Sequence, residues 1–431
     1  MRILILLMGL LAGCAQALAA PLTIEIIKGV DKGLPIAVVP FGWLGGGNVP
    51  ELDLAGVIRA DLERSGRFEN LPVKDMLAFP KSDQEVNYKD WRTLNRDNLV
   101  VGQVQATGGG YEVRFQLLDV VRQEQLAGYK MNSSARDLRA TAHRIADIIY
   151  EKLTGQRGAF ATRVAYITSQ GRAPNKEVAL NVADADGYNS QTVISSKEPI
   201  MSPAWSPDGT RIAYVSFENK QPAIFTQEIY TGRRSKIASF PGINGAPAWS
   251  PDGRRLALTL SKDGNPDIFV VDVGGGGLTP LTRNSAIDTE PTWSPDGRWV
   301  YFTSDRAGGP QIYRVAASGG EAERITYEGS YNARPTVSPD GELLGMVTRV
   351  GGNFRIGVMD LKARSVRVLT DGSLDESPSF APNGSMIIYA AKVNGKGELA
   401  AVSVDGRIRQ RLAMQVGDVR EPIWSPYSKA Q

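Results

Sequence analysis

The sequence predicts a multidomain protein: a small N-terminal α/β domain followed by a six-bladed all-β propeller, closed by pairing of the propeller's N- and C-terminal strands. Three observations predict the propeller: a recurring phrase, strand-like sequence between its copies, and an incomplete unit at each end. The phrase reads PxWSPDG in its best copies, and successive copies begin 44, 44, 44, 43 and 44 residues apart. A period of this length with short strands is typical of propeller blades. The copies occupy residues 203–209, 247–253, 291–297, 335–341, 378–384 and 422–428.

Each copy of the phrase predicts a tight turn between two strands. Ser-Pro-Asp-Gly suits a type I turn, because proline presets φ and glycine accepts a left-handed backbone at the end. Strand-like sequence follows, as in RIAYVSF from Arg211 and then AIFTQEI from Ala223. We label the four antiparallel strands of a unit A to D, and the phrase marks strand A and the A–B turn. The central tryptophan is expected to pack between blades rather than to bind a ligand, since packing residues are what repeats in a repeat protein.

The two ends of the repeat region predict how the ring closes. Residues 162–170, 178–184 and 191–196 read as strands B, C and D with no A strand before them. The last phrase, PIWSPYS, is an A strand with no B strand after it, and it lacks the Asp-Gly of the turn. Together the two ends make one complete blade, which gives six blades and leaves few open sheet edges.

The region before the repeats predicts the α/β domain, at residues 21–158, with the propeller at 159–431. Helices are expected where apolar residues recur every three to four positions, and strands where short apolar runs occur. Residues 155–158, GQRG, are the expected linker. The predicted helices are 52–65 and 137–153, and the predicted strands are 36–41, 99–104, 111–120 and 125–131.

Residues 1–20 are predicted to be a cleaved export signal. A charged start, an apolar run and small residues precede a cleavage site near Ala19 or Ala20. A lipoprotein is the competing interpretation, because the LAGC sequence that ends at Cys14 resembles a bacterial lipobox. If the signal is removed near Ala19 or Ala20, and not at the lipobox, the mature chain has no cysteine and forms no disulfide.

The residues that an enzyme needs are scarce. The one histidine, His143, lies off the apolar side of its predicted helix and is expected to face solvent. A Ser-His-Asp hydrolase would also need a G-x-S-x-G turn, which the sequence lacks, and propeller enzymes that use metals need several histidines. The sequence therefore predicts no cofactor, although calcium held by oxygen ligands in the channel is left open. The alternative function is an exported propeller hydrolase or lyase that acts on envelope saccharide or peptide.

Charge and loop composition point away from other ligands. The chain has 49 Lys and Arg against 46 Asp and Glu, with no basic run, so no nucleic-acid partner is predicted. Asp184 and Asp186 are better explained by a turn than by a calcium loop. The glycine runs lack the strand, loop and helix context of a phosphate site.

The best binding candidates are residues just ahead of each phrase. They are expected in the D–A loops, which gather at one mouth of the central channel. They differ between blades while the phrase stays the same, so scaffold and recognition positions separate. Ordinary solvated loops are the alternative for any one of them. The candidates are Met201, Asn244, Ala246, Thr289, Glu290, Asn332, Arg334, Glu376, Arg420 and Glu421.

A second candidate is the segment that would begin the mature chain, at about residues 21–33. It is strand-like, with apolar residues and a few polar ones interspersed. The segment is either the first strand of the α/β domain or a free strand that adds to the sheet of a partner.

The combination of four sequence stretches resembles the TolB family of the Tol-Pal system. They are IAVVPFGW at 36–43, EKLTGQRGAF at 151–160, MSPAWSPDG at 201–209 and WSPY at 424–427. The similarity covers essentially the whole mature chain. The lipobox-like stretch is a departure from the family's pattern and bears on where the protein resides.

This resemblance implies a non-enzymatic, monomeric periplasmic hub that keeps the outer membrane intact and draws it inward during cell division. It implies that the propeller mouth binds the outer-membrane lipoprotein Pal, which some colicins imitate. It also implies that the N-terminal segment binds the inner-membrane protein TolA and is either docked on the body or released. The residues implied for TolA are Leu22, Thr23, Ile24, Glu25, Ile26, Ile27, Lys28, Gly29, Val30, Asp31 and Lys32.

Overall fold

The computed structural model describes residues 23–28, 33–45, 49–172, 174–413 and 417–428. The predicted export signal, Cys14, Leu22 and residues 29–32 lie outside these ranges.

The N-terminal part of the chain forms one mixed sheet with helices on it. The sheet order is β4-β2-β5-β6-β7; β2 is parallel to β4 and β5, β5 to β7 are antiparallel, and β3 pairs with β5. The strands, in chain order after β1 (Thr23–Lys28), are β2 (Leu34–Val38), β3 (Gly42–Trp43), β4 (Phe68–Asn70), β5 (Asn98–Thr107), β6 (Gly110–Asp119) and β7 (Glu124–Ser133). The helices are α1 (Leu54–Arg64), α2 (Tyr88–Thr93) and α3 (Leu138–Thr154), with 3-10 turns at Val73–Asp75 and Asp83–Glu85.

Local capping sets the ends of the two long helices. Asp53 caps α1, because its Oδ1 accepts a hydrogen bond from the N–H of Gly56 at 2.9 Å. Gly155 ends α3 in the left-handed conformation, with φ of 73°. Both helices therefore begin and end within two residues of the predicted bounds. Their apolar sides pack together on the sheet, with Ile58 and Ile145 fully buried.

The repeat region forms blades of four antiparallel strands. Three strands come first, namely β8 (Arg163–Gln170), β9 (Glu177–Asp184) and β10 (Gln191–Ser196). Blades 1 and 2 contain β11 (Ile200–Trp205), β12 (Arg211–Ser216), β13 (Ala223–Glu228), β14 (Arg234–Ala238), β15 (Asn244–Trp249), β16 (Arg255–Leu260), β17 (Asp267–Asp272) and β18 (Leu278–Pro280). Blades 3 and 4 contain β19 (Asp288–Trp293), β20 (Trp299–Ser304), β21 (Gln311–Ala316), β22 (Glu323–Arg324), β23 (Asn332–Val337), β24 (Leu343–Val350), β25 (Asn353–Asp360) and β26 (Val366–Val368). Blade 5 contains β27 (Asp375–Phe380), β28 (Met386–Val393), β29 (Lys396–Ser403) and β30 (Arg409–Ala413), and the final strand is β31 (Asp418–Trp424).

The recurring phrase forms the predicted turn and the predicted contact between blades. In blade 1 the N–H of Gly209 donates to Ser206 O at 2.8 Å, and Gly209 has φ of 67°. The indole of Trp249 is buried and donates to Ala204 O of the preceding blade at 3.1 Å, and Arg211 lies over the ring. The tryptophan therefore packs between blades, as predicted.

The last strand closes the ring. β31 pairs antiparallel with β8, which gives a blade of order β10-β9-β8-β31. The indole N–H of Trp424 donates to Thr162 Oγ1 at 2.8 Å, and Val419 is 1% exposed. The prediction of six blades with the sixth made from both ends is confirmed.

The N-terminal strand lies in the propeller and not in the α/β domain. β1 pairs antiparallel with β30, from Thr23 opposite Ala413 to Lys28 opposite Arg409. This makes blade 5 a five-stranded sheet of order β1-β30-β29-β28-β27. The interpretation as the first strand of the α/β domain is wrong, because the outer edge of β30 offers free backbone hydrogen-bonding groups.

Candidate functional site

The two ends of the propeller differ in what covers them. Because the blades are antiparallel, A–B and C–D turns lie at one end and D–A segments at the other. The α/β domain packs on the A–B end, where Gln156 Nε2 donates to Asn383 O and Asn383 Nδ2 donates to Arg157 O, both at 2.9 Å. The mouth formed by the D–A segments therefore lies away from the α/β domain.

The ten candidates ahead of the phrases lie in the innermost strands, so the prediction that they occupy loops is wrong. Each A strand starts before its phrase and contains an irregularity in its pairing, as between Met201 and Ala204 in β11. The bulge adds an extra residue to the A strand, so residues that the sequence pattern assigned to the loop belong to the strand. It places one residue per blade in the left-handed region, just before proline. These residues, with φ from 44° to 56°, are Ser202, Ala246, Glu290, Arg334, Ser377 and Glu421.

These six left-handed residues line a cavity of about 290 Å³ on the propeller axis. Arg334 is the centre of its polar wall, since its Nε donates to Glu290 Oε1 at 2.8 Å and its Nη1 donates to Ser377 Oγ. Glu421 Oε2 accepts from the N–H of Ser202, and burial raises the pKa of Glu421 although Arg334 opposes this. Glu290 is paired with the Arg334 guanidinium and Glu421 accepts a backbone N–H, so we assign these groups to a charge cluster centred on Arg334 rather than to a calcium site.

Two of the candidates have structural side chains. Asn244 is 1% exposed, and its Nδ2 donates to Phe240 O at 2.7 Å. Asn332 is equally buried, and its Nδ2 donates to Glu328 O at 2.7 Å. These amides hold the D–A segments in shape and are not free to contact a partner. Arg420, in contrast, is exposed and pairs with Asp418.

Exposed apolar side chains at the mouth were missed by sequence reasoning. Ile243 and Ile287 are 47% and 48% exposed, and Tyr327 is 68% exposed. Each lies in a D–A segment: Ile243 and Ile287 directly precede their A strands, and Tyr327 lies five residues before its own. Ile243 also lines the axial cavity. The available signal was an apolar residue in an otherwise polar connection, four to eight residues ahead of the phrase.

His143 is buried at the domain interface, so the prediction that it faces solvent is wrong. Its Nδ1 lies 2.6 Å from Asp61 Oδ2, and it is 2% exposed. The helix α3 has a second buried side, because residues 139, 143 and 147 recur every four positions and face the propeller. Arg139 and Asp147 on that side were the missed signal.

The ligand atoms of Asp61, His143 and Asp186 lie within 4.8 Å of one another, as in a metal site. However, Arg64 Nε donates to Asp61 Oδ1 at 3.0 Å, and Arg139 pairs with Asp186. Two guanidinium groups already compensate these carboxylates and would repel a divalent cation. We therefore assign the cluster to ion pairing between domains. Asp184 and Asp186 end a strand and form a turn, as predicted.

Comparison with known families identifies the chain. A family model described as the TolB beta propeller domain matches residues 150–428, and one described as the TolB amino-terminal domain matches residues 22–126. The chain belongs to the TolB family. Among curated relatives, the Tol-Pal system protein TolB of Nitrosococcus oceani is 58% identical over 409 residues, 94% of each chain. That of Methylococcus capsulatus is 57% identical over 417 residues, 97% of each chain.

A solved structure supports the fold over the same length. The crystal structure of TolB from Acinetobacter baumannii matches with a TM-score of 0.87 and 42% identity, covering 94% of this chain and 100% of that chain. The chain is thus a propeller protein of the Tol-Pal system. Its relatives' names indicate no enzymatic activity, and the family fits a periplasmic protein. In the part of the chain that the structure describes, none of the helices has the length and apolar character to cross a membrane.

Proposed function

We propose that this protein is a non-enzymatic, monomeric interaction hub in the periplasm. It binds Pal through the propeller mouth and TolA through its N-terminal segment, and thereby supports outer-membrane integrity and invagination during cell division. Colicins that imitate Pal would use the same mouth. The observation that carries the proposal is the mouth itself, an axial cavity with exposed apolar side chains around a polar wall.

The mouth has the composition of a protein-binding surface. Interfaces that bind proteins combine exposed apolar anchors with a polar surround. Here Ile243, Ile287 and Tyr327 are the anchors, and the Arg334–Glu290 pair lies deeper on the axis. The six bulge positions share one backbone conformation but carry four kinds of side chain, namely serine, alanine, glutamate and arginine, so the blades can present varied chemistry to Pal.

The ten candidates divide into two roles within this proposal. Met201, Ala246, Thr289 and Arg420 are partly or largely accessible and would contact Pal. The remaining candidates shape the mouth through buried amides or through the charge cluster around Arg334 on the axis. They are Asn244, Asn332, Glu290, Arg334, Glu376 and Glu421.

The N-terminal strand supports a separate TolA site. In β1, Thr23 to Lys28 pair with β30 as an added fifth strand, so its release leaves a complete four-stranded blade. A strand that leaves one sheet can pair with the sheet of a partner, because its backbone N–H and C=O groups have lost their hydrogen-bond partners. Leu22 and residues 29–32 of the proposed site lie outside the described ranges.

Replacing residues 22–32 by a Gly-Ser sequence of equal length is expected to abolish TolA binding and to leave Pal affinity within about threefold. The replacement removes the strand sequence but keeps the length of the chain. Calorimetry with purified TolA and Pal measures both affinities, and circular dichroism checks the fold. Unchanged TolA binding would refute the TolA site, and a large loss of Pal binding would refute the separation of the two sites.

A further inference from the structure

The interface between the α/β domain and the propeller contains a cluster of charged side chains. The α/β domain contributes Asp61 and Arg64 from α1 and further groups from α3, and the propeller contributes the C–D turn after β9. Asp61, His143 and Asp186 are at least nine-tenths buried. The complete set is Asp61, Arg64, Arg139, His143, Asp147, Asp184 and Asp186.

His143 lies between carboxylates of the two domains. Its Nδ1 is 2.6 Å from Asp61 Oδ2 in the α/β domain, and its Nε2 is 3.5 Å from Asp186 Oδ2 in the propeller. A neutral imidazole carries one N–H, so one nitrogen would direct a lone pair at a carboxylate. An imidazolium carries an N–H on both nitrogens and directs a proton at each of the two carboxylates. Nε2 has no hydrogen-bond partner among the described residues, and the Asp186 carboxylate at 3.5 Å is the group that a proton on Nε2 would face.

The charges around His143 favour the protonated ring. Burial acts to lower the pKa of His143, but the Asp61 carboxylate, its hydrogen bond and Asp186 together raise that pKa above 6.5, against Arg64. Asp147 and Asp184 bring two more carboxyl groups to the cluster, and Arg139 pairs with Asp186. The carboxyl groups outnumber the two guanidinium groups, so the imidazolium offsets negative charge.

We propose that His143 is a proton-dependent clamp between the two domains. The imidazolium holds Asp61 of one domain against Asp186 of the other. Loss of its proton leaves two buried carboxylates without that cation and weakens the docking of the α/β domain on the propeller.

The direction of the pH effect follows from linkage. The pKa of His143 is raised in the folded protein, so its contribution is fully present below about pH 6.5, the usual value, and is lost as pH rises through the folded pKa. Asp147 acts in the same direction. Burial raises its pKa to about 6, so its ionisation above that pH adds a buried negative charge beside the cluster. The clamp is thus strongest in mildly acidic conditions.

Proton NMR can test the clamp directly, because the chain contains a single histidine. In protein purified without a histidine tag, the imidazole Hε1 signal is expected to titrate with a midpoint above 6.5. Asp186→Asn should move the midpoint down. Asp272→Asn is the matched control, since Asp272 is exposed at the end of the corresponding C strand in blade 2 and should leave the midpoint unchanged. A wild-type midpoint at or below 6.5 overturns the proposal.

Hydrogen exchange shows whether the proton acts on docking rather than only on the ring. In the intact protein, protection of residues 184–188 is expected to fall as pH passes the imidazole midpoint, after correction for intrinsic rates. Residues 272–276 in blade 2 serve as the internal reference. His143→Gln should remove the step at 184–188. An equal pH dependence of protection at both turns, or an unchanged step in the variant, contradicts the clamp. If the variant does not fold, the comparison of the two turns within the wild-type protein still decides.

Discussion

Replacing Ile243 and Ile287 together by aspartate is expected to lower the affinity for Pal, the proposed partner, by about 100-fold or more, which calorimetry can measure. Each side chain is about half exposed at the mouth, where a partner would bury it. Truncating a central apolar anchor of an interface typically costs at least about 2 kcal/mol, and a carboxylate adds a desolvation penalty. Two such changes exceed the ~2.7 kcal/mol that corresponds to 100-fold.

Val121→Asp is the matched control for this pair of substitutions. Val121 is 60% exposed in the turn between β6 and β7 of the α/β domain, away from the mouth. The control should leave Pal affinity unchanged, and all variants should keep the wild-type unfolding midpoint because none of the three sites is buried. An affinity within about threefold of wild type for the double variant would remove the mouth from the proposed Pal interface.

A chain that ends at residue 417 is expected to lose cooperative unfolding. It lacks β31, so the inner edge of β8 becomes open and the sixth blade has three strands. Buried Val419 and partly buried Trp424 are lost, and together with the lost strand ladder this costs on the order of 5 kcal/mol or more. That is comparable to the whole stability of a typical domain.

Thermal denaturation followed by circular dichroism, together with size-exclusion chromatography, measures this loss. The replacement of residues 22–32 by Gly-Ser is the matched control, since it also removes one strand but from the outer edge of blade 5. We expect a cooperative transition in the control and aggregation or a broad transition in the truncated chain. A truncated chain with the wild-type midpoint would show that closure by β31 contributes little.

The ring could be predicted from sequence because its determinants are local and repeated. A turn such as that of Gly209 requires a particular backbone, and the spacing of the six copies of the phrase gives the number of blades. The closure by β31 followed from counting strands at each end. The packing of Trp249 also followed, since a repeated large apolar side chain in a repeat protein serves the contact between neighbours.

The parts that could not be predicted depend on contacts between distant segments. The pairing of β1 with β30 depends on which sheet edge is open in three dimensions, and the segment's own sequence suits either sheet. His143 was misplaced because α3 packs on two sides, and its second side binds the propeller through polar side chains that show no hydrophobic periodicity. Because of the bulge in each A strand, the candidate residues lie in the innermost strands and not in loops, a difference of only a few residues that alters what each side chain can contact.

The position of β31 at the end of the repeat region affects how the ring is assembled. β31 follows the other described strands in the chain, so the strands of blades 1 to 5 can pair before it becomes available. Until residues 418–424 emerge, the inner edge of β8 is an unpaired template on which strands of other chains can add. A chain that lacks residues 418–424 therefore exposes the edge of β8 to edge-to-edge association, so the closing strand protects the protein against aggregation as well as completing the ring.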